Sequence, residues 1–215
     1  GAMLRALELI RIRNGGRAVP TYMHPDIYRR RAVKTANGAV RPMQDVPSAA
    51  SLERAGASLV HSRQPQLILE NLFYVSGEIP RVTAFETGLP GHHRRTADDS
   101  EWEPDPLLMD ERFVAVCIKD KGVLVLTACS HAGVVNVMTH ARDCLGPAPL
   151  FGVLGGFHLA GTNERIIPET GEALREFRLQ SIAAAHCTGW RAVNALAAAF
   201  GDVVVPSSVG KTYRY

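Results

Sequence analysis

Between Val123 and Cys187 the chain repeats one arrangement three times: a strand-like apolar run ends at a histidine, and small residues or a helix start follow. The three passes read VLVLTACSHAG, LFGVLGGFHLAG and SIAAAHCTG, and they deliver His131, His158 and His186. Short apolar runs alternating with helical patterns predict buried strands of a parallel sheet. In open α/β sheets the ligand crevice lies outside the carboxyl ends of the strands, so the three imidazoles should converge there. Converging imidazoles point to a metal ion. His140 falls in the middle of the helix after His131 and reads as a surface residue.

The residues beside these histidines suggest a second property. Ser130 and Gly133 sit at a helix start, Gly156 lets a ligand approach the backbone, and Thr188 precedes the next helix. Helix N-termini expose unpaired N–H groups that bind phosphate or carboxylate, so these four positions are expected to contact an anionic substrate. Cys129 and Cys187 flank two of the histidines; burial as small hydrophobes is the favoured reading, with a thiolate ligand or nucleophile as the alternative. No serine stands at a nucleophile elbow with a histidine and a carboxylate in register, which argues against a serine hydrolase.

Length and composition fit a single globular domain over residues 1–215, since 46% of the residues are hydrophobic and 21% are charged. A formal charge of +3 with scattered arginines excludes a nucleic-acid surface. Four cysteines without a CxxC pair predict free thiols in a cytoplasmic protein rather than a disulfide framework. No apolar run approaches the roughly 18 residues of a membrane span.

In the N-terminal half, a helix is predicted over Met3 to Ile12, a strand over Ala18 to Met23 and a turn at His24-Pro25-Asp26. Asn37-Gly38 marks a hairpin, and Ser48 caps a helix that Gly56 ends. Strands follow around Ser58 to His61 and Leu67 to Val75; His24 and His61 read as structural. Residues 77–110 show little periodicity and are expected to form a long loop or lid, with His92 and His93 solvated and with Arg81 and Glu86 touching substrate. A hairpin over Phe113 to Ile118 and Val123 to Thr127 leads into alternating elements: a helix to Cys144, strand Leu150 to Leu154, helix Pro168 to Phe177, strand Ser181 to Ala185, helix Trp190 to Phe200 and strand Val203 to Pro206.

TACSHAGVVNV, GGFHL and AHCTG, together with SGEIPRVTAFE and the terminal PSSVGKTYRY, resemble metallo-β-lactamase-fold hydrolases, in the branch of the dihydropterin-linked ribofuranosylaminobenzene phosphate synthases. The resemblance implies an α/β fold, an αββα sandwich, carrying one or two zinc ions, with iron or manganese as other candidates. By motif position it places His131 on a first metal, His186 on a second, and His158 where many relatives have a bridging carboxylate. The family's HxHxDH motif is nowhere in the sequence, so the chain is expected to begin just after it, with the N-terminal part of the fold missing. The resulting expectation is a hydrolase in which metal-activated water attacks an ester, lactone or phosphoester, with activity reduced or lost in the shortened form. Two alternatives stand beside it: a non-catalytic ligand-binding protein of the same fold, and a half-domain completed by a partner chain, including a second copy of itself.

Overall fold

The computed structural model describes residues 2–215, which divide into two compact units: residues 2–63 with 89–106, and residues 64–88 with 107–215. Helix α1 (Met3–Arg13) leads into β1 (Val19–Met23), and a 3-10 turn over Pro25–Tyr28 reaches β2 (Arg31–Lys34). The Asn37-Gly38 turn then returns the chain along β3 (Val40–Pro42), with Thr35 and Ala39 closing the hairpin. Helix α2 (Ala49–Ala55) starts where the Ser48 hydroxyl accepts the Ser51 amide, and it stops at Gly56, whose φ of 111° only glycine tolerates well. Strand β4 (Ala57–His61) follows and pairs in parallel with β1. Leu7, Met23, Leu52, Ala55 and Ala57 make the small core of this unit.

His24 and His61 have the structural roles expected of them. The buried His24 ring accepts the Asp26 amide at Nδ1 and lies 3.3 Å from Arg63 at Nε2, and His61 meets the Tyr28 hydroxyl at 3.1 Å.

The run expected as one strand over Leu67 to Val75 is two, β5 (Gln66–Ile68) and β6 (Phe73–Val75). Leu69, Glu70 and Asn71 between them all have positive φ, a tight reversal that the apolar composition of the run concealed. Nor is the stretch 77–110 structureless. It contains the hairpin β7 (His92–Arg95) and β8 (Trp102–Pro104), which extends the β3–β2 pair to a four-stranded sheet. His92 and His93 are therefore half-buried strand residues and not solvated loop residues. The hairpin is held by charge rather than apolar alternation: Arg94 binds Glu103 at 2.8 Å and Arg31 binds Asp105 at 3.3 Å. Asp105 is buried, so the second pair is desolvated and breaking either partner would be costly.

The second unit is built on a six-stranded sheet in the order β12-β11-β10-β9-β6-β5. Strands β9 (Phe113–Ile118) and β10 (Gly122–Thr127) form the predicted hairpin through Lys119 to Gly122. Helix α3 (Val134–Leu145), β11 (Leu150–Gly156), α4 (Ile167–Arg175), β12 (Ser181–Ala185) and α5 (Trp190–Phe200) complete it, and β10, β11 and β12 run parallel. The strand expected at Val203 to Pro206 is reduced to a 3-10 turn and a single bridge from Val204 to Ile182. Met138, Leu174 and Leu196 from the three helices and Phe113, Val125, Val153 and Ile182 from the sheet share one buried core. His140 is half-buried rather than a free surface residue, its ring edge-on to Phe113 at 5.9 Å.

Candidate functional site

Parallel register sets the geometry of the site. Thr127 lies opposite Gly155, and Gly156 lies opposite Ala185, so β10, β11 and β12 end side by side. The three turns that follow therefore open on the same sheet edge, which is the convergence expected for His131, His158 and His186. Each turn contains a non-glycine residue in the left-handed region: Ser130 at φ 53°, His158 at 47° and His186 at 48°. Such backbone costs about 1–3 kcal/mol per residue and persists where the surroundings over-determine it, typically at functional sites.

The histidines meet as a pair and a neighbour. The His131 and His158 rings pack edge to face with centroids 4.7 Å apart. His186, exposed at the end of β12, instead places Nδ1 3.5 Å from the Cys129 sulfur. Among the described residues, the one group of three metal-binding side chains whose donor atoms all lie within 4.8 Å of one another is Cys129, His186 and Cys187. The reading of these cysteines as buried small hydrophobes is thus corrected, for both are half-exposed at the sheet edge. The Cys129 thiol, then His158 and His186, hold Cys187 below the usual thiol range, while the same pairing and burial push Cys129 up.

Around His131 the expected anion site is already filled from within the chain. The amides of His131 and Ala132 both donate to the Glu111 carboxylate at 2.7 Å. Those of Val135 and Asn136, at the start of α3, donate to Glu86 at 2.9 and 2.7 Å. Two carboxylates of the protein therefore take the positions that a ligand's charge was expected to occupy. Burial pushes Glu86 up to about 7 despite those donors, and burial also raises Glu111.

The predicted substrate contacts are accordingly redistributed. Glu86 is a buried helix anchor, and Gly133 is its necessary partner, since a Cβ there would stand 2.1 Å from the Glu86 carboxyl carbon. Ser130 is buried and shares a hydrogen bond with Thr127 at 3.0 Å. Arg81 spends its guanidinium on the carbonyls of Ile79 and Leu107. Burial lowers its pKa, opposed by the charges of Glu111 and Glu86. Thr188 is a buried clip between turns, accepting the Phe157 amide at 3.0 Å and donating to the Ala185 carbonyl at 2.7 Å. At Gly156 the close neighbours come from the chain itself, the Ala128 carbonyl and the Cys187 sulfur, each 2.7 Å from where a Cβ would be. A narrow cleft remains between Gly88, His131, His158, Asn163 and Arg165.

Glu111 is the site residue that the sequence reading missed. The β9–β10 register pairs Phe113 with Thr127, and continuing it carries Glu111 opposite Cys129. Its Oε1 also lies 3.4 Å from His131 Nδ1, the carboxylate–imidazole contact that orients a metal-binding histidine. A metal ion suits these donors on one further count: His158 Nδ1 is buried without a hydrogen-bond partner, a cost that coordination would remove.

No protein-family model matches the sequence. Over 200 residues the chain is 23% identical to the 7,8-dihydropterin-6-methyl-4-(β-D-ribofuranosyl)-aminobenzene-5'-phosphate synthase of Methanocaldococcus jannaschii, covering 92% of this chain and 66% of that enzyme. A second protein of the same organism, uncharacterized, is 31% identical over 124 residues, which are 57% of this chain and 42% of that protein. This chain thus spans at most about two thirds of the length of the curated relatives it matches. Among solved structures it superposes on Tm1679, described as a metal-dependent hydrolase of the β-lactamase superfamily, with a TM-score of 0.74 and 17% identity, over 93% of this chain and 72% of that one. The chain has the metallo-β-lactamase fold, and the sequence resemblance to the dihydropterin-linked synthase branch is matched by a relative bearing that name.

Proposed function

We propose that this protein is a metal-dependent enzyme of hydrolytic type that holds one or two metal ions at the shared end of β10, β11 and β12, with the His131–His158 pair at one position and His186 at a neighbouring one. The observation that carries the reading is the gathering of these histidines on three successive strand ends, with His131 braced by Glu111 and His158 Nδ1 buried without a partner. A bound zinc ion, or iron or manganese, would supply Lewis acidity and an activated water for attack on an ester, lactone or phosphoester. The chain's own residues do the rest. Glu111 fixes the His131 ring, Thr188 ties the His158 turn to the His186 turn, and a narrow cleft opens beside His131 and His158.

An anionic substrate is part of the proposal. With the amides at the start of α3 taken by Glu86 and those of His131 and Ala132 by Glu111, the group that would meet its charge is Arg165, which lines the cleft with Asn163. The first relative named above is a synthase, and this favours a second reading in which the same centre transfers a group to an acceptor other than water. Loading metal-depleted protein with zinc and assaying phosphoesters and lactones tests the first reading. Turnover that needs zinc and falls by about 10²-fold or more in His158→Ala supports it, and turnover indifferent to both contradicts it.

A further inference from the structure

Cys129 and Cys187 belong to turns after β10 and β12, strands that are not neighbours but lie on either side of β11. The end of β11 between them is Gly156, where a Cβ would stand 2.7 Å from the Cys187 sulfur and 3.3 Å from the Cys129 Cα. The absent side chain leaves room for the Cys187 sulfur, which lies 3.4 Å from the Cys129 carbonyl. His186 Nδ1 closes the group 3.5 Å from Cys129, and all three donor atoms lie within 4.8 Å of one another. The left-handed backbone of His186, at φ 48°, brings its ring and the next residue's sulfur to the same edge. The other two cysteines, Cys117 and Cys144, are exposed and take no part.

We propose that Cys129, His186 and Cys187 form a thiolate-bearing metal position that selects soft or borderline cations, zinc, cobalt(II) or cadmium, over magnesium and manganese. The inference rests on the metal-dependent reading above and extends it by making sulfur, not imidazole alone, the selecting donor. Two sulfurs and one nitrogen suit zinc-like ions, whereas hard cations need oxygen donors. Three protein donors also leave a fourth position for water or substrate.

The test is titration of the metal-depleted, thiol-reduced full chain with cobalt(II), followed by electronic absorption. The expected result is an intense near-ultraviolet sulfur-to-cobalt charge-transfer band that saturates with binding, is erased by cadmium and survives excess magnesium. Cys129→Ser and Cys187→Ser should each diminish the band and together abolish it, with circular dichroism unchanged. The Cys117→Ser/Cys144→Ser double variant should keep it. Cobalt bound with visible bands but no charge-transfer band, or a band that persists without Cys129 and Cys187, would overturn the sulfur assignment and leave the histidine centre standing. No cobalt uptake at all would overturn both.

Discussion

The turns after β10 and β12 begin from the same sequence rhythm and end in opposite states. After β10, Glu111 and Glu86 saturate the backbone amides around His131 and at the head of α3, and the ring of His131 is braced by Glu111. After β12, Thr188 ties down the backbone, but His186 and Cys187 are left facing outward with Cys129. The first turn is a finished structural joint. The second displays donors with few ties to the protein, and a strand-to-histidine pattern alone does not separate the two.

The largest effects should come from the saturated joint. Glu86→Ala leaves the buried amides of Val135 and Asn136 without partners, at about 1–3 kcal/mol each, so a stability loss of about 3–5 kcal/mol is expected by denaturant unfolding. Gly133→Ala should cost about 3 kcal/mol or more, because its φ is 92° and its Cβ would overlap Glu86; a loss under about 1 kcal/mol would refute the joint.

Smaller changes sharpen the contrast. Thr188→Val deprives the Phe157 amide of its acceptor and should cost about 1–3 kcal/mol while leaving α3 intact, as hydrogen exchange of the α3 amides would show. The joint also predicts a pH signature. Glu86 has a folded pKa of about 7 against an ordinary value of 4.5, so the folded state holds the extra proton between those values. Its contribution to stability is full below about pH 4.5 and is lost as pH rises through about 7. The stability advantage of the wild type over Glu86→Gln should therefore shrink across that interval, and one that grows would contradict the assignment.

Most of the regular structure was legible because local chemistry agreed with the fold. Asn37-Gly38 and Lys119 to Gly122 turn hairpins, Ser48 and Gly56 bound α2, and apolar runs mark β10, β11 and β12. Where local signals were silent, the reading failed. HHRR and WEP pair through Arg94 and Glu103 rather than through apolar alternation, so β7 and β8 resembled a loop. In the site, strand order and rhythm were enough to bring His131, His158 and His186 to one edge. They could not show that the chain's own carboxylates occupy the helix-start amides, since Glu86 and Glu111 reach them from 49 and 20 residues away along the chain. Nor could they show that Cys187 packs over Gly156 beside Cys129, a contact that exists only when three strands lie side by side.

Metal content tests the central claim most directly. Elemental mass spectrometry on untagged protein purified without chelator should find about one or two zinc, iron or manganese ions per chain in the wild type. The content should fall in His158→Ala and His186→Ala and stay unchanged in His140→Ala, whose ring packs edge-on to Phe113. A metal-free wild type, or equal metal in all four proteins, would contradict the account.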